Sequence, residues 1–221
     1  TKCGAGLMNL PICLISVGIG LGYADAGPTH YTTEDFACFR SIVGSSIYTP
    51  ADTATTKLIA NELLEKPKFS YIRLDRDALP NISPEITKID LNKGYRIFGK
   101  VNNDKIVLIS HGKMLHKCLE IYNNKSDRFV CVDILMSKPF PKDLPKDFSS
   151  CKGIVVVDEQ SPSGNLSSCV FEAFSEQNYF PKIISKSLPE RYFFENGGRE
   201  YLLNKFGLSY DDIIKACEKI I

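Results

Sequence analysis

No Cys-x-x-Cys pair occurs in this chain of 221 residues, although it holds eight cysteines. Cys3, Cys13, Cys38, Cys118, Cys131, Cys151, Cys169 and Cys217 are scattered, most of them inside apolar helix or strand patterns. Dispersed thiols of this kind read as small core residues kept reduced, which points to a cytoplasmic protein rather than a disulfide scaffold. Histidine is scarce too, and His30, His111 and His116 do not combine with cysteines at ligand spacing, so no zinc site is expected. Charge of one sign is not in excess: 27 basic residues face 26 acidic ones, for a net charge of +1. Without a basic stripe, nucleic acid is not an expected partner. The longest apolar stretch, Leu7 to Leu21, is broken by Asn9, Pro11, Ser16, Gly18 and Gly20, which excludes a membrane span. It has neither a basic leader nor a small-residue cleavage site, so a signal peptide is not expected.

The composition, 43% hydrophobic and 24% charged, is that of a globular protein. The chain alternates short apolar runs with amphipathic stretches. Pro11 to Val17 is a short apolar run and reads as a strand covered on both faces. A glycine-rich loop, Gly18 to His30, follows. Thr32 or Thr33 can cap the next helix, which carries Glu34 and Asp35 in its first turn. Ser46 to Thr49 reads as a strand ended by Pro50, Asp52 caps a helix to about Lys66, and Phe69 to Leu74 is a further strand. Residues 80–84 carry two prolines, and no periodic pattern resumes until about Tyr95. The second half repeats the alternation. Strands are expected over Lys105–Ser110, Phe129–Leu135, Gly153–Val157 and from Lys182, and helices over Gly112–Asn123, Leu166–Gln177, Arg199–Phe206 and Tyr210–Ile220. Such alternation predicts an α/β protein of two three-layer α/β/α domains with mainly parallel sheets. The boundaries expected are residues 1–82, a linker over 83–93, and 94–221.

Gly18, Gly20 and Gly22 lack the spacing of a dinucleotide fingerprint, and no Gly-Lys-Ser/Thr follows, so they read as points where backbone approaches a ligand closely. The more telling tetrapeptide is Gly27-Pro28-Thr29-His30, which sets an imidazole on a rigid turn beyond a strand. Open α/β sheets bind ligands at that edge. In order there follow Glu34, Asp35 and Arg40 on a helix, then Ile47-Tyr48-Thr49-Pro50-Ala51-Asp52, then Arg73-Leu74-Asp75-Arg76-Asp77-Ala78-Leu79-Pro80. This series resembles the pyrimidine-binding domain of transketolases. The remainder resembles the family's C-terminal domain through Val132 to Pro139, Val156 to Gln160, Ser163 to Ser168, Leu202 to Leu208, and Asp212-Ile213.

The resemblance implies an enzyme using thiamine diphosphate and Mg, in which a two-carbon ketol unit passes between sugar phosphates. It implies that His30 faces the cofactor and contacts the donor, where an imidazole can donate and accept near neutral pH. It implies that Arg76 grips the substrate phosphate, a task suited to a planar fork of donors. Three departures bear on this. Asp75 and Asp77 flank Arg76, so a surface ion pair is the competing reading of that arginine. Ala26 stands where many relatives carry an aspartate, with Asp25 one position earlier, and Gln160 replaces a histidine. Arg73 is a weaker phosphate candidate, and Glu159 reads as an interface or capping carboxylate. The glutamate that activates the aminopyrimidine, the aromatic residues that stack on it, and the diphosphate and metal ligands have no counterpart in these residues. The expectation is a C-terminal part of a transketolase-like enzyme, truncated or one piece of a split enzyme and inactive alone, that works with a second subunit in a homodimer or with an N-terminal transketolase section. Runner-up readings are a 1-deoxyxylulose-5-phosphate synthase, a 2-oxoacid dehydrogenase β subunit, or a non-catalytic interaction module.

Overall fold

A computed structural model describes residues 1–220. The first sheet has the order β1–β3–β2–β7, built from Cys13–Val17 (β1), Ser46–Tyr48 (β2), Ser70–Leu74 (β3) and Met136–Lys138 (β7). Strands β1, β3 and β2 are parallel, and β7 joins β2 antiparallel. Alternate side chains go to opposite faces of a strand. Ile47 and Tyr71 meet Phe36 of helix α1 (Asp35–Arg40), while Tyr48 and Ile72 meet Ile59 of helix α2 (Thr53–Glu65). The sheet is thus sandwiched between α1 and α2. Helix α2 begins at Asp52, which accepts the Thr55 N–H at 2.7 Å and the Ile82 N–H at 2.9 Å.

The second sheet has the order β4–β6–β5–β8–β9: Tyr95–Phe98 (β4), Ile106–Ser110 (β5), Phe129–Ile134 (β6), Gly153–Val157 (β8) and Ile183–Lys186 (β9). All neighbours are parallel except β4, which runs against β6. Every residue of β5, β6 and β8 is buried, as a parallel sheet covered on both sides requires. Leu108, Cys131 and Val155 pack against helices α4 (Gly112–Asn124), α7 (Arg199–Lys205) and α8 (Tyr210–Glu218). Ile109, Val132 and Val156 pack against α5 (Leu144–Asp147) and α6 (Leu166–Ser175). Ser209 caps α8 in a reciprocal box with Asp212.

The structure differs from the sequence reading at four places. Strand β1 is an edge strand, and Ile15 and Val17 are 61% and 48% exposed rather than covered on both faces. Its apolar composition says nothing about which elements lie beside it. Neither Thr32 nor Thr33 caps α1. Its N-cap residue is Glu34, with no side-chain cap, and Thr33 is buried with its carbonyl accepting the Ser161 N–H at 2.9 Å. Residues 83–93 include a short helix, α3 (Lys88–Lys93), capped by Thr87 and Asp90 and ended by Gly94 at φ +84°. Finally, β7 belongs to the second half of the chain but completes the first sheet. Lys138 at its end donates to the Arg40 and Ile42 carbonyls at the end of α1, at 2.7 Å to the former. All eight cysteines are free, and five of them are buried.

A candidate substrate site at the carboxyl edge of the first sheet

Strands β1 and β3 end side by side, joined by the Gly18 N–H donating to the Leu74 carbonyl at 2.9 Å. Two loops leave this edge. One runs from Gly18 to Glu34 and the other from Asp75 to Pro80. The first is shaped by its glycines. Gly18 has φ +89°, and a Cβ there would fall 2.1 Å from the Tyr23 ring. Gly20 has φ +61°, and its Cβ would fall 2.7 Å from the Glu159 side chain. The space these glycines leave is taken by Tyr23 and Glu159 of the same chain, which corrects the expectation of close approach to a ligand.

Tyr23 in turn organises the exposed residues. Its ring centroid lies 4.7 Å from the Arg76 guanidinium carbon and 5.9 Å from the His30 ring. A cation over an aromatic face is attracted by the ring quadrupole, so Tyr23 fixes the plane in which Arg76 presents its fork. The other partner of Arg76 is Asp25, with which it forms an ion pair open to solvent. The Arg76 hydrogen bond holds the Asp25 carboxyl below the usual carboxylate range. His30 is exposed, and its Nδ1 is 2.9 Å from Thr29 Oγ1. That contact orients the ring and leaves Nε2 for a further partner.

The two site residues picked out in the sequence, His30 and Arg76, thus both approach Tyr23 from the β1 and β3 loops, and Asp25 pairs with Arg76. The two flanking aspartates part ways: the Asp77 charge still acts on Arg76, whereas Asp75 is engaged elsewhere, and the surface ion pair of Arg76 is made with Asp25. Asp75 turns away to Arg199, at 2.8 Å, and Asp77 donates its N–H to Asp75 Oδ1 at 3.0 Å. Arg73 is fully buried, pairs with Asp35 at 2.7 Å, and cannot reach a ligand at this edge. Glu159 is likewise occupied, accepting the Leu21 N–H at 2.9 Å and the Arg199 fork. Gln160 donates to the Thr32 carbonyl at 2.8 Å and ties the end of the His30 loop to the second unit. Tyr23 and Arg199 were not signalled by the sequence. Tyr23 sits in a loop with no periodicity, and Arg199 is separated from Asp75 by 124 positions.

A cofactor with a metal-bound diphosphate needs a cradle of oxygen ligands. Among the described residues no three His, Cys, Asp or Glu side chains converge on a metal position. His111 pairs with Asp158 at 3.0 Å and His116 with the Ala51 carbonyl at 2.7 Å. The residues present therefore do not fit the diphosphate end of such a cofactor. They present one forked cation and one imidazole beside the Tyr23 ring, with the Asp25 carboxylate paired to the cation.

Residues 2–81 match the profile of the transketolase pyrimidine-binding domain, and residues 99–213 match that of the transketolase C-terminal domain. The chain belongs to the transketolase family. Bovine transketolase-like protein 1 is 26% identical over 223 residues, a match covering 98% of this chain and 36% of the relative. The 1-deoxy-D-xylulose-5-phosphate synthase of Cupriavidus necator is 29% identical over 207 residues, covering 91% and 32%. One of the subunits of an apulose-4-phosphate transketolase from Phocaeicola vulgatus is 23% identical and covers 94% and 66%. Among solved structures, a "split gene transketolase, inactive beta4 tetramer" superposes with a TM-score of 0.77 at 25% identity, covering 97% of this chain and 67% of that one. This transketolase-family chain thus spans about a third of the first two relatives and about two thirds of the other two proteins.

Proposed function

We propose that this chain supplies the sugar-phosphate side of a thiamine diphosphate-dependent transketolase, acting with a second polypeptide section or subunit that carries the cofactor's diphosphate and Mg ligands. The observation that carries this reading is the convergence of Asp25, His30 and Arg76 at the carboxyl edge of β1 and β3. Arg76 takes the substrate phosphate in place of Asp25. An Arg–phosphate pair is charge-assisted on both sides and bidentate, so a dianion competes well against one exposed carboxylate. Asp25, once released, accepts a donor hydroxyl, which gives it the place of the aspartate missing at Ala26. His30 Nε2 meets a second donor oxygen whose proton changes place during the reaction. The cofactor, when bound on the complementary section, supplies the carbanion chemistry. This chain binds and orients the sugars, and it does not turn over alone. We place the enzyme in the cytoplasm and in pentose phosphate metabolism.

The identity to 1-deoxy-D-xylulose-5-phosphate synthase sustains a second reading in which the donor is a 2-oxoacid. Product analysis separates the two. The chain is mixed with an N-terminal transketolase section, thiamine diphosphate, Mg, the two donors xylulose 5-phosphate and pyruvate, and the acceptors ribose 5-phosphate and glyceraldehyde 3-phosphate. Transfer of two carbons from xylulose 5-phosphate to an aldose phosphate is the expected outcome. Exclusive consumption of pyruvate with loss of carbon dioxide would replace it with the synthase reading.

A further inference from the structure

One guanidinium holds both loops of the candidate site from the opposite unit. Arg199 opens helix α7 directly after Gly197 and Gly198, both at positive φ, and is 8% exposed. Its Nε and Nη2 grip the Glu159 carboxylate at 2.9 and 2.7 Å. Its Nη1 reaches Asp75 at 2.9 Å, and Nη2 also points to the Ile19 carbonyl at 3.4 Å. Glu159 accepts the Leu21 N–H at 2.9 Å. Ile19 and Leu21 lie in the loop that carries Asp25 and His30, and Asp75 is the residue directly before Arg76. The arrangement also settles the charges. Asp75 and Asp77 both adjoin Arg76 in sequence, and the Asp75 charge is spent on Arg199, so Arg76 is left to Asp25, to the Asp77 charge and to an incoming anion.

We infer that Arg199 is a positioning residue for substrate phosphate. By engaging Asp75 it keeps Arg76 available, and by engaging Glu159 and Ile19 it fixes the loop that carries Asp25 and His30. This rests on the reading of Arg76 as the phosphate grip. A buried, forked pair of this sort is not reproduced by lysine, whose single ammonium cannot hold two carboxylates in separate directions. The C-terminal unit is then part of substrate recognition and not only a scaffold.

The test uses the full chain labelled with 15N. The Arg76 Nε–Hε resonance is followed with and without inorganic phosphate in the native protein, Arg199→Lys, Asp75→Asn and the double variant. Ligand-free Arg199→Lys should move the Arg76 resonance, as Asp75 turns onto it, and should weaken phosphate binding about tenfold, the loss of one oriented charge-assisted contact. Asp75→Asn alone should leave phosphate affinity within about twofold of native, because its charge is already compensated. The double variant should recover the part of the affinity lost to competition by Asp75, while the part lost with the Glu159 and Ile19 contacts stays lost. An unmoved Arg76 resonance in Arg199→Lys, or a double variant as weak as Arg199→Lys, overturns the inference. So does a tenfold gain in Asp75→Asn, which would mean that Asp75 already competes for Arg76 and which stands on a variant that keeps the Arg199–Glu159 pair. If phosphate leaves the native Arg76 resonance in place, the phosphate reading falls. The ligand-free comparison of native protein and Arg199→Lys still decides the positioning role.

Discussion

Asp35→Ala should destabilise the chain by about 3–5 kcal/mol, the typical cost of stranding one partner of a buried ion pair. Arg73 lies in the middle of the first sheet with its side chain 1% exposed. Its Nε and Nη2 meet the two Asp35 oxygens at 2.7 and 3.1 Å, Nη1 meets Thr49 at 3.2 Å, and the Phe36 ring lies 5.0 Å from the guanidinium carbon. Tyr71 donates to the same carboxylate at 2.9 Å, and burial followed by the Asp35 charge pushes its phenol up to about 12. Without Asp35 the buried guanidinium keeps the Thr49 hydroxyl as its hydrogen-bond acceptor. Urea unfolding at neutral pH measures the loss. The double replacement Asp35→Leu with Arg73→Met should cost less than Asp35→Ala alone, since removing both charges leaves no buried ion unpaired. A loss below about 1 kcal/mol for Asp35→Ala would show that water reaches Arg73, contrary to the packing described.

Arg76→Ala should raise the KM for sugar phosphates about 100-fold in the assembled enzyme, with a much smaller effect on an unphosphorylated ketose donor. Losing two charge-assisted bonds at roughly 1.5 kcal/mol each corresponds to that factor. Arg76→Lys should recover only part of it, because an ammonium gives one point contact where the guanidinium gives a fork. The ratio of the two KM effects is the informative quantity. Equal losses with phosphorylated and unphosphorylated donors would assign Arg76 to loop structure and remove it from phosphate recognition. Asp25→Asn acts in the opposite direction on the free protein. It releases Arg76 from its carboxylate, so binding of inorganic phosphate should tighten.

Much of this architecture was legible because it is written locally. Asp52 before an apolar face marked the start of α2, and the uninterrupted runs over β5, β6 and β8 marked strands buried on both sides. Helix α3 left a local signal as well, Thr87 three residues before Asp90 with Gly94 beyond, but only Leu91 of its six residues is buried. A single buried side chain produces no periodicity to read. The exposure of β1 and the capture of β7 by the first sheet were not legible, since both depend on which strands become neighbours. The candidate site divides in the same way. His30 and Arg76 could be named from short motifs. Their shared platform on Tyr23, the choice of Asp25 over Asp75 as partner, and the Arg199 clamp rest on contacts between segments remote in sequence, 51 positions for Asp25 with Arg76 and 124 for Asp75 with Arg199.

Asp25, His30 and Arg76 are open to solvent at the carboxyl edge of the first sheet. The account stands on one claim, that this edge is half of a shared ketol-transfer site. Its most direct test is the transfer of two carbons from xylulose 5-phosphate to ribose 5-phosphate, followed in a coupled assay with thiamine diphosphate and Mg. Native chain and His30→Ala are each assayed alone and together with an N-terminal transketolase section. The account predicts turnover only in the native mixture, lowered about 100-fold or more by His30→Ala, within the range for loss of a positioned acid–base group. Turnover by the native chain alone, or a mixture indifferent to the loss of the imidazole, would contradict it.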